Sequence, residues 1–216
     1  MQPIISIVGR SESGKTTLLE GLIAELKGRG YRVAVIKHSA ENVEVDTVNK
    51  DTWRFSQAGS EISVISSGRN LGIFKRLEHD ASPQELVPLI PECDLILTEG
   101  FKHSNYPKIE VHRKAQGSDL VSLPQQLLGV VTDEPLPVKV PQFSREDVKE
   151  IADLIEKSIS SWQREDDVAL AVNGIETAVK PAFRDLLART LSAMLSGEKD
   201  IREVKQLRIF FRRKTA

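Results

Sequence analysis

The stretch GRSESGKT, residues 9–16, decides the fold of this chain. It matches the pattern G-x-x-x-x-G-K-[ST], in which glycines let the backbone turn so that successive N–H groups point at phosphate oxygens. In such a loop the ammonium group of Lys15 reaches the β and γ phosphates, and the hydroxyl of Thr16 is a ligand for Mg²⁺. A helix that begins near Lys15 adds its dipole. The pattern therefore predicts a P-loop that binds a nucleoside triphosphate.

The segments on either side of the loop have the periodicity that a P-loop requires. Residues 3–8, PIISIV, form a continuous apolar run, which is typical of a parallel strand covered on both faces. Residues 32–37, RVAVIK, predict a second strand. Together with the helix between them, these strands predict a β-α-β unit. The helix is indicated by apolar residues that recur at helical spacing: Leu18, Leu19, Leu22, Ile23 and Leu26.

The remainder of residues 1–165 alternates between strand and helix patterns. A helix is predicted over residues 50–58, a short one from a capping box at Ser82, and a longer one from Ser144. The alternation predicts the α/β fold of a P-loop NTPase, a mostly parallel sheet flanked by helices. The further predicted strands are residues 61–66, 94–99, 108–112 and 127–132.

A different pattern begins after residue 165, and residues 166–216 predict a separate, small β-β-α-β appendage. Residues 168–180 contain two short strands about Asn173-Gly174, which is a hairpin signal, and a helix follows from Pro181. Residues 204–211 predict the last strand. The final sixteen residues hold six basic side chains and one acidic one. This tail is either a docking surface or a solubilising edge.

Composition and charge narrow the class of protein. The 216 residues carry 30 basic and 31 acidic side chains, and the net charge of −1 gives no reason to expect nucleic acid as a partner. No apolar run approaches the roughly 20 residues of a membrane span, and the N-terminus lacks the features of a signal peptide. The single cysteine, Cys93, excludes an internal disulfide framework and a cysteine-based zinc cluster. We expect a cytoplasmic protein with no membrane partner.

Besides the Thr16 hydroxyl, a P-loop needs a carboxylate at the end of a neighbouring strand to hold the metal or its water. Glu99 ends the predicted strand DLILTE and precedes Gly100, whose missing side chain would admit a γ-phosphate. The alternative for Glu99 is a solvated residue at a strand end. Asp46 and Asp51 offer further carboxylates in the loop after the second strand. The candidate metal ligands are therefore Thr16, Glu99, Asp46 and Asp51.

Other polar residues follow strands at the edge where open α/β folds bind ligands. Lys37 and His38 lie where the second strand ends, and the histidine is either a ligand or polar surface. Thr132 and Asp133 end a late strand, where an aspartate in GTP-binding P-loop proteins pairs with the N1–H and exocyclic amine of guanine. A surface turn is the alternative for this pair. Arg10, inside the loop, either adds charge to the phosphates or points to solvent.

Five segments occur in the order seen in a known family: VGRSESGKTTLLEGLI, VAVIKH, DTVNKDTWRFSQAG, DLILTEGFKHSNYPKIEVHR and VVTDEP. Over about residues 1–160 the chain resembles molybdopterin-guanine dinucleotide biosynthesis protein B (MobB), and TEGFK followed by PKIEVHR is the most specific part. The resemblance implies a GTP-binding, weakly GTP-hydrolysing homodimer, related to metallochaperone-type GTPases. Such a protein is an adapter for the molybdenum cofactor guanylyltransferase, the enzyme that joins GMP to molybdopterin.

Carried over onto this sequence, the resemblance assigns roles to the residues described above. Lys15 and Glu99 are the expected catalytic residues, GTP and Mg²⁺ are the expected cofactors, and molybdopterin is a second ligand that the resemblance allows. The cleft beside the P-loop would be lined by Lys37, His38, Asp46 and Asp51. The expected nucleotide-binding residues are Gly9, Arg10, Ser11, Glu12, Ser13, Gly14, Lys15, Thr16, Thr17, Lys37, His38, Gly100, Thr132 and Asp133.

Two other functions remain open on the same scaffold. A small-molecule kinase needs a lid with arginines that close over the transferred phosphoryl group, and no arginine-rich lid stands out between Gly100 and Leu128. A binding module without catalysis would use the nucleotide only to order a dimer. Nucleotide selectivity, turnover and stabilisation by mass action separate these functions.

Overall fold

The computed structural model describes residues 2–39, 43, 45–90, 93–160, 170–172, 175–177 and 181–196. The chain divides into two compact units, and the boundary lies between residues 162 and 163. This boundary is close to the division between residues 165 and 166 that the sequence predicts. The larger unit contains the P-loop.

Strands and helices alternate along much of the larger unit, as predicted. Its described strands are β1 (Ile4–Val8), β2 (Val33–Lys37), β3 (Ile62–Ser67), β4 (Asn70–Lys75), β5 (Leu95–Glu99), β6 (Lys108–Val111), β7 (Leu127–Val131) and β8 (Gln142–Phe143). Its described α-helices are α1 (Lys15–Gly28), α2 (Asp51–Gln57), α3 (Pro83–Leu86) and α4 (Val148–Ser160). Short 3₁₀ turns cover Val87–Leu89, Lys114–Gln116 and Pro124–Gln126.

Six of these strands form one parallel sheet in the order β2-β5-β1-β6-β7-β8. This sheet and its flanking helices confirm the predicted α/β class. Because all six strands run the same way, the segments that follow them share one edge, which is where open α/β folds bind ligands. The strand that leads into the P-loop, β1, lies between β5 and β6, so residues from both sides of the sheet can reach a ligand on the loop.

The hydrophobic core explains why the segments around the P-loop adopt this fold. All five residues of β1 are buried, as expected for a strand covered on both faces. One face of the sheet packs against α1 and α4, whose Leu22 and Ile155 are fully buried. The opposite face buries Ile4 and Ile96 against residues around α3 and Phe101. Each such side chain contributes about 1.5–3 kcal/mol when fully buried, so tertiary packing holds the helices in place.

One predicted strand lies outside the parallel sheet. Residues 61–66 were expected to alternate with helices in that sheet, but β3 pairs antiparallel with β4 in a separate two-stranded hairpin. The turn between them uses Gly68, whose φ of 53° lies in the left-handed region. Sequence periodicity missed β4 because Gly72 interrupts its apolar run, and it missed β8 because that strand has only two residues.

The helix predicted from Ser144 begins later. It starts at Val148, and Ile151 N donates to Asp147 O at 3.0 Å. Ser144 N donates to the Asp147 carboxylate at 2.7 Å, so this carboxylate holds residues 144–147 as a turn before the helix. The prediction was wrong because a serine followed by acidic residues fits both a helix cap and this turn. The capping box predicted for α3 is confirmed, with Ser82 and Glu85 as its members.

The smaller unit contains a hairpin and a helix among its described residues. Strands β9 (Leu170–Val172) and β10 (Ile175–Thr177) pair antiparallel, and α5 covers Pro181–Ser196. These elements lie where the sequence predicts a pair of short strands and a helix, and the predicted β-β-α-β appendage as a whole stays a prediction. The strand predicted over residues 204–211 lies outside the described residues. Within the described part of the whole chain, no helix is long and apolar enough to cross a membrane.

Candidate functional site

The P-loop depends on backbone conformations that its glycines supply. Gly9 has φ 146° and Gly14 has φ 93°, both in the region that favours glycine, and Glu12 at the loop tip has φ 58°. A side chain on Gly9 would collide with the backbone oxygen of Val111, because the loop passes directly over the end of β6. The tight turn is therefore built into the sequence, and only glycine fits at its start.

The first turn of α1 presents backbone amides to the sheet edge. No side chain caps this helix, and its backbone bonding starts where Leu18 N donates to Gly14 O at 3.1 Å. The N–H groups of residues 14–17 have no acceptor among the described residues. Amides of this kind, at the positive end of a helix, form an anion site when a phosphate supplies the missing oxygens. Ser11, Glu12 and Thr17 are exposed around this cradle, whereas Ser13 is buried below it.

Lys15 lies at the centre of the cradle. Its Nζ donates to the backbone oxygen of Arg10 at 2.6 Å, which folds the side chain back over the loop. Burial lowers the pKa of Lys15, the charge of Glu99 opposes this shift, and the charges of Lys102 and Lys37 add to it. Within the described part of the chain, Arg10 O is the one hydrogen-bond acceptor of this ammonium group, and phosphate oxygens would have to replace it.

Glu99 is brought to the P-loop by the sheet register. It ends β5, opposite Ile7 of β1 and Lys37 of β2. The hydroxyl of Thr16 donates to both Glu99 carboxylate oxygens, at 3.2 and 3.3 Å, and Lys37 Nζ lies 3.6 Å from Oε1. Hydroxyl and carboxylate oxygens are the ligands that Mg²⁺ accepts, so this pair fits that ion.

Gly100 and His38 shape the backbone beside Glu99. Gly100 has φ 99°, and a Cβ on it would lie 3.1 Å from the backbone oxygen of His38. The His38 ring has two partners of its own: its Nε2 lies 2.8 Å from the Asp80 carboxylate, and its centroid lies 4.6 Å from that of Phe101. Gly100 therefore keeps the space above the strand end open, and His38 anchors the following segment.

Asp46 and Asp51 have partners of their own. The Asp46 carboxylate accepts hydrogen bonds from Thr47 N at 2.8 Å and from Thr52 Oγ1 at 3.0 Å. Asp51 is exposed and lies 3.9 Å from Arg54. Neither carboxylate contacts Thr16 or Glu99, and the part of the chain that the structure describes holds no group of three or more His, Cys, Asp or Glu residues suited to a metal. The structure thus joins Thr16 to Glu99 and leaves the two aspartates with α2.

A cavity of about 290 Å³ lies on the other side of the P-loop, at the ends of β7 and β8. Lys114 N donates to the Asp133 carboxylate at 3.1 Å, and this bond holds the pKa of Asp133 below its usual range. Thr132 Oγ1 donates to Glu134 O at 2.8 Å and fixes the turn. An ionised carboxylate thus faces a space of base-like size. The cavity is lined by Arg113, Thr132, Asp133, Ser144, Arg145 and Glu146.

Four of these lining residues were not found as site residues from the sequence: Arg113, Ser144, Arg145 and Glu146. Arg113 Nε donates to the backbone oxygen of Ser13 at 3.2 Å, and the Arg145 guanidinium lies against Gly14. Ser144 was assigned to a helix cap. The missing signal is strand order, because β6 and β8 meet the P-loop only in the folded sheet. Arg10 points away from the cradle, towards Asp119 O at 3.5 Å and the backbone of Gly117.

Buried polar side chains on β6 and directly after it hold the loops around this cavity. Lys108 is fully buried and donates to Ser104 O and, at 2.9 Å, to the Gln126 side chain. His112 is also buried, and its Nε2 lies 3.3 Å from Glu134. The alternation of polar residues along PKIEVHR thus has a structural reason: each one ties down a different loop.

Comparison with known proteins identifies a family and several relatives. The family model for MobB, "Molybdopterin guanine dinucleotide synthesis protein B", matches residues 4–133, which include the P-loop, Glu99 and Asp133. The molybdopterin-guanine dinucleotide biosynthesis adapter protein of Haemophilus influenzae is 38% identical over 156 residues, 71% of this chain and 88% of that protein. The adapter protein of Escherichia coli is 32% identical over 162 residues, 72% of this chain and 92% of that protein. A crystal structure of molybdopterin-guanine biosynthesis protein B, 29% identical, superposes with a TM-score of 0.54 over 72% of this chain and 99% of that chain.

Proposed function

Because the chain belongs to the molybdopterin guanine dinucleotide synthesis protein B family, we propose that it is a GTP-binding adapter in molybdenum cofactor biosynthesis. In this role it assists the guanylyltransferase that joins GMP to molybdopterin. The chain itself is a weak, Mg²⁺-dependent GTPase. The names of its relatives support the pathway, and the geometry of the sheet edge supports the nucleotide.

One observation carries the nucleotide assignment, namely the order of groups along the sheet edge. Thr16 and Glu99 lie on the side of β5 and β2, the P-loop amides lie at the end of β1, and Asp133 lies at the end of β7. A nucleoside triphosphate laid across this edge places its terminal phosphate near Glu99 and its base in the cavity beside Asp133. Metal, phosphate and base subsites therefore occur in the order in which a Mg²⁺-bound nucleoside triphosphate presents them.

Each end of this edge has a chemical role. The ammonium group of Lys15 exchanges its hydrogen bond to Arg10 O for the β and γ phosphates and neutralises their charge. The amides of residues 14–17 bind the remaining phosphate oxygens. Mg²⁺ would be held by Thr16, with Glu99 holding its water, and it would supply charge neutralisation at the phosphates. Asp133 accepts hydrogen bonds from the N1–H and the exocyclic amine of guanine, which an adenine cannot donate.

Nucleotide selectivity tests the proposal directly. We expect titration of the purified full chain in Mg²⁺ buffer to show micromolar GTP binding and at least roughly tenfold weaker ATP binding, because adenine leaves the Asp133 carboxylate unpaired. Equal affinity for the two nucleotides, or no binding of either, would contradict the assignment. If an added small molecule stimulates GDP or ADP formation to tens of turnovers per second, the chain is instead a kinase of the type that shares this scaffold.

Replacing Glu99 with glutamine is expected to weaken GTP binding when Mg²⁺ is present and not when it is absent. With Mg²⁺, GTP affinity should fall about tenfold and hydrolysis should be lost, because the neutral amide holds metal-bound water poorly. With EDTA, the variant should bind GTP at least as well as the wild type, because a negative charge beside the phosphates is gone. Fluorescence titration in both buffers measures this, with exposed Glu20→Gln on α1 as the control. Equal losses in both buffers would show that Glu99 serves the fold and not the metal.

The proposed contact with a partner protein involves the whole chain and is tested on the whole chain. We propose that the chain binds the guanylyltransferase as a homodimer and that residues 166–216 either add to this contact or keep the protein soluble. The matched family model ends at residue 133, so the appendage lies beyond the region that defines the family. Co-purification of the full chain with the guanylyltransferase, in GTP and in GDP, tests the contact and its dependence on nucleotide.

A further inference from the structure

Two arginines approach the P-loop from the same side. Arg113 follows β6, and its Nε donates to Ser13 O at 3.2 Å. Arg145 follows β8, and a methyl group placed on Gly14 would lie 3.4 Å from its Nη2. Both side chains also line the cavity beside Asp133. Two guanidinium groups thus flank the loop where it meets the proposed base subsite.

The burial of Arg113 indicates a missing ligand. Its Nη2 is buried and has no hydrogen-bond partner within the described part of the chain. A buried guanidinium nitrogen without an acceptor is costly, and native structures normally supply a partner for such a group. The Ser13 backbone oxygen accepts from Nε and not from Nη2. An anionic oxygen bound on the P-loop side of the cavity would satisfy the remaining donor.

The position of these arginines along the edge decides which part of a nucleotide they meet. Glu99 and Lys37 lie on the side of β5 and β2, whereas Arg113 and Arg145 lie on the side of β6 and β8. The P-loop lies between the two groups. If the terminal phosphate is near Glu99, the arginines lie between the loop and the base, where the α-phosphate and the ribose are.

We propose that Arg113 and Arg145 bind the α- and β-phosphate half of the nucleotide, so that the chain holds a nucleoside diphosphate nearly as tightly as a triphosphate. The proposal rests on the proposed GTP site and adds that the product of hydrolysis stays bound. Two further charged groups in the cavity, Asp133 and Glu146, are acidic and repel phosphate, so the two arginines are needed to make this side of the loop attract it. The adapter then remains loaded after hydrolysis, and exchange of nucleotide limits its cycle.

The test compares GTP and GDP on variants from the two sides of the loop. Arg145→Gln is expected to weaken GTP and GDP by the same factor, roughly tenfold or more, because one charge-assisted contact is lost from the half that the two ligands share. Lys37→Gln, on the Glu99 side, is expected to weaken GTP more than GDP. Isothermal titration with each nucleotide in Mg²⁺ buffer measures both ratios. Arg145 is chosen because Arg113 also holds the loop through Ser13 O.

Two further variants complete the experiment. Lys149→Gln removes one positive charge from exposed surface at the start of α4 and is expected to leave both affinities unchanged. Arg145→Lys keeps the charge and should restore part of the lost affinity. A loss confined to GTP, or no loss in Arg145→Gln, overturns the inference while the GTP site stands. If the wild-type chain binds neither nucleotide, the proposed function fails first and the inference with it.

Discussion

Replacing Lys15 with alanine is expected to abolish the stabilisation of this chain by GTP and leave the fold intact. Within the described residues the half-buried Lys15 side chain makes one hydrogen bond, to Arg10 O, so its removal costs the native state little. In the loaded state the same ammonium group is the charge that reaches the β and γ phosphates. We therefore expect an affinity loss of roughly a hundredfold or more, since a charge-assisted contact to two phosphates is removed.

Thermal unfolding with and without Mg-GTP measures this effect. Ligand at about 100 times its dissociation constant stabilises a protein by about 2.7 kcal/mol, and Lys15→Ala should lose nearly all of that increment. The Tm without ligand should match that of the wild type. The control is Lys27→Ala, an exposed lysine in the last turn of the same helix. A normal GTP-induced shift in Lys15→Ala would show that the P-loop is not the binding site.

Asp133→Asn is expected to exchange the base preference of the site from guanine to xanthine. The aspartate accepts two hydrogen bonds from guanine, whereas an asparagine accepts one and donates one, which matches the N1–H and the C2 carbonyl of xanthine. The asparagine oxygen can still accept from Lys114 N, so the turn should be kept. GTP affinity should fall about a hundredfold because the exocyclic amine of guanine then faces a donor.

Titration with GTP, XTP and ATP on the same preparation measures the exchange. The matched control is Asp119→Asn, a change of the same chemistry at an exposed loop residue. Gain of XTP binding is the decisive result, because a damaged fold loses affinity for every nucleotide. If GTP binding is unchanged in Asp133→Asn, residues 132–133 are only a surface turn and the base lies elsewhere.

The low pKa of Asp133 adds a pH expectation. The Lys114 N–H bond favours the charged carboxylate, so the folded pKa lies below the ordinary value for aspartate. Base selectivity that depends on this carboxylate should therefore be constant between about pH 6 and 8 and should weaken only as the pH falls towards that lowered value.

Much of the proposed metal and phosphate side could be predicted from local sequence. GRSESGKT requires a glycine turn and a helix start, and the apolar run of β1 requires burial on both faces. Glu99 could be found because it ends a buried strand next to Gly100. Each of these predictions uses neighbouring residues only, so no knowledge of strand order was needed.

Local patterns did not identify the partners of other segments. The metal role expected for Asp46 stays a prediction, since Thr47 N and Thr52 Oγ1 both bind its Oδ1 within the same segment. The strand at residues 61–66 has a suitable pattern, yet it pairs with β4 because a glycine turn brings that partner next to it. Periodicity reports that a segment is half-buried or extended and does not report its partner.

The sequence by itself determined the phosphate cradle, the α/β class and the carboxylate at the end of β5, because turn chemistry and burial act over a few adjacent residues. Only the tertiary structure decided which distant residues join the candidate site. The order β2-β5-β1-β6-β7-β8 brings Asp133, Arg113 and Arg145 to one side of the P-loop and Glu99 to the other. Strand order is set by long-range packing of the two sheet faces, and no local pattern encodes it.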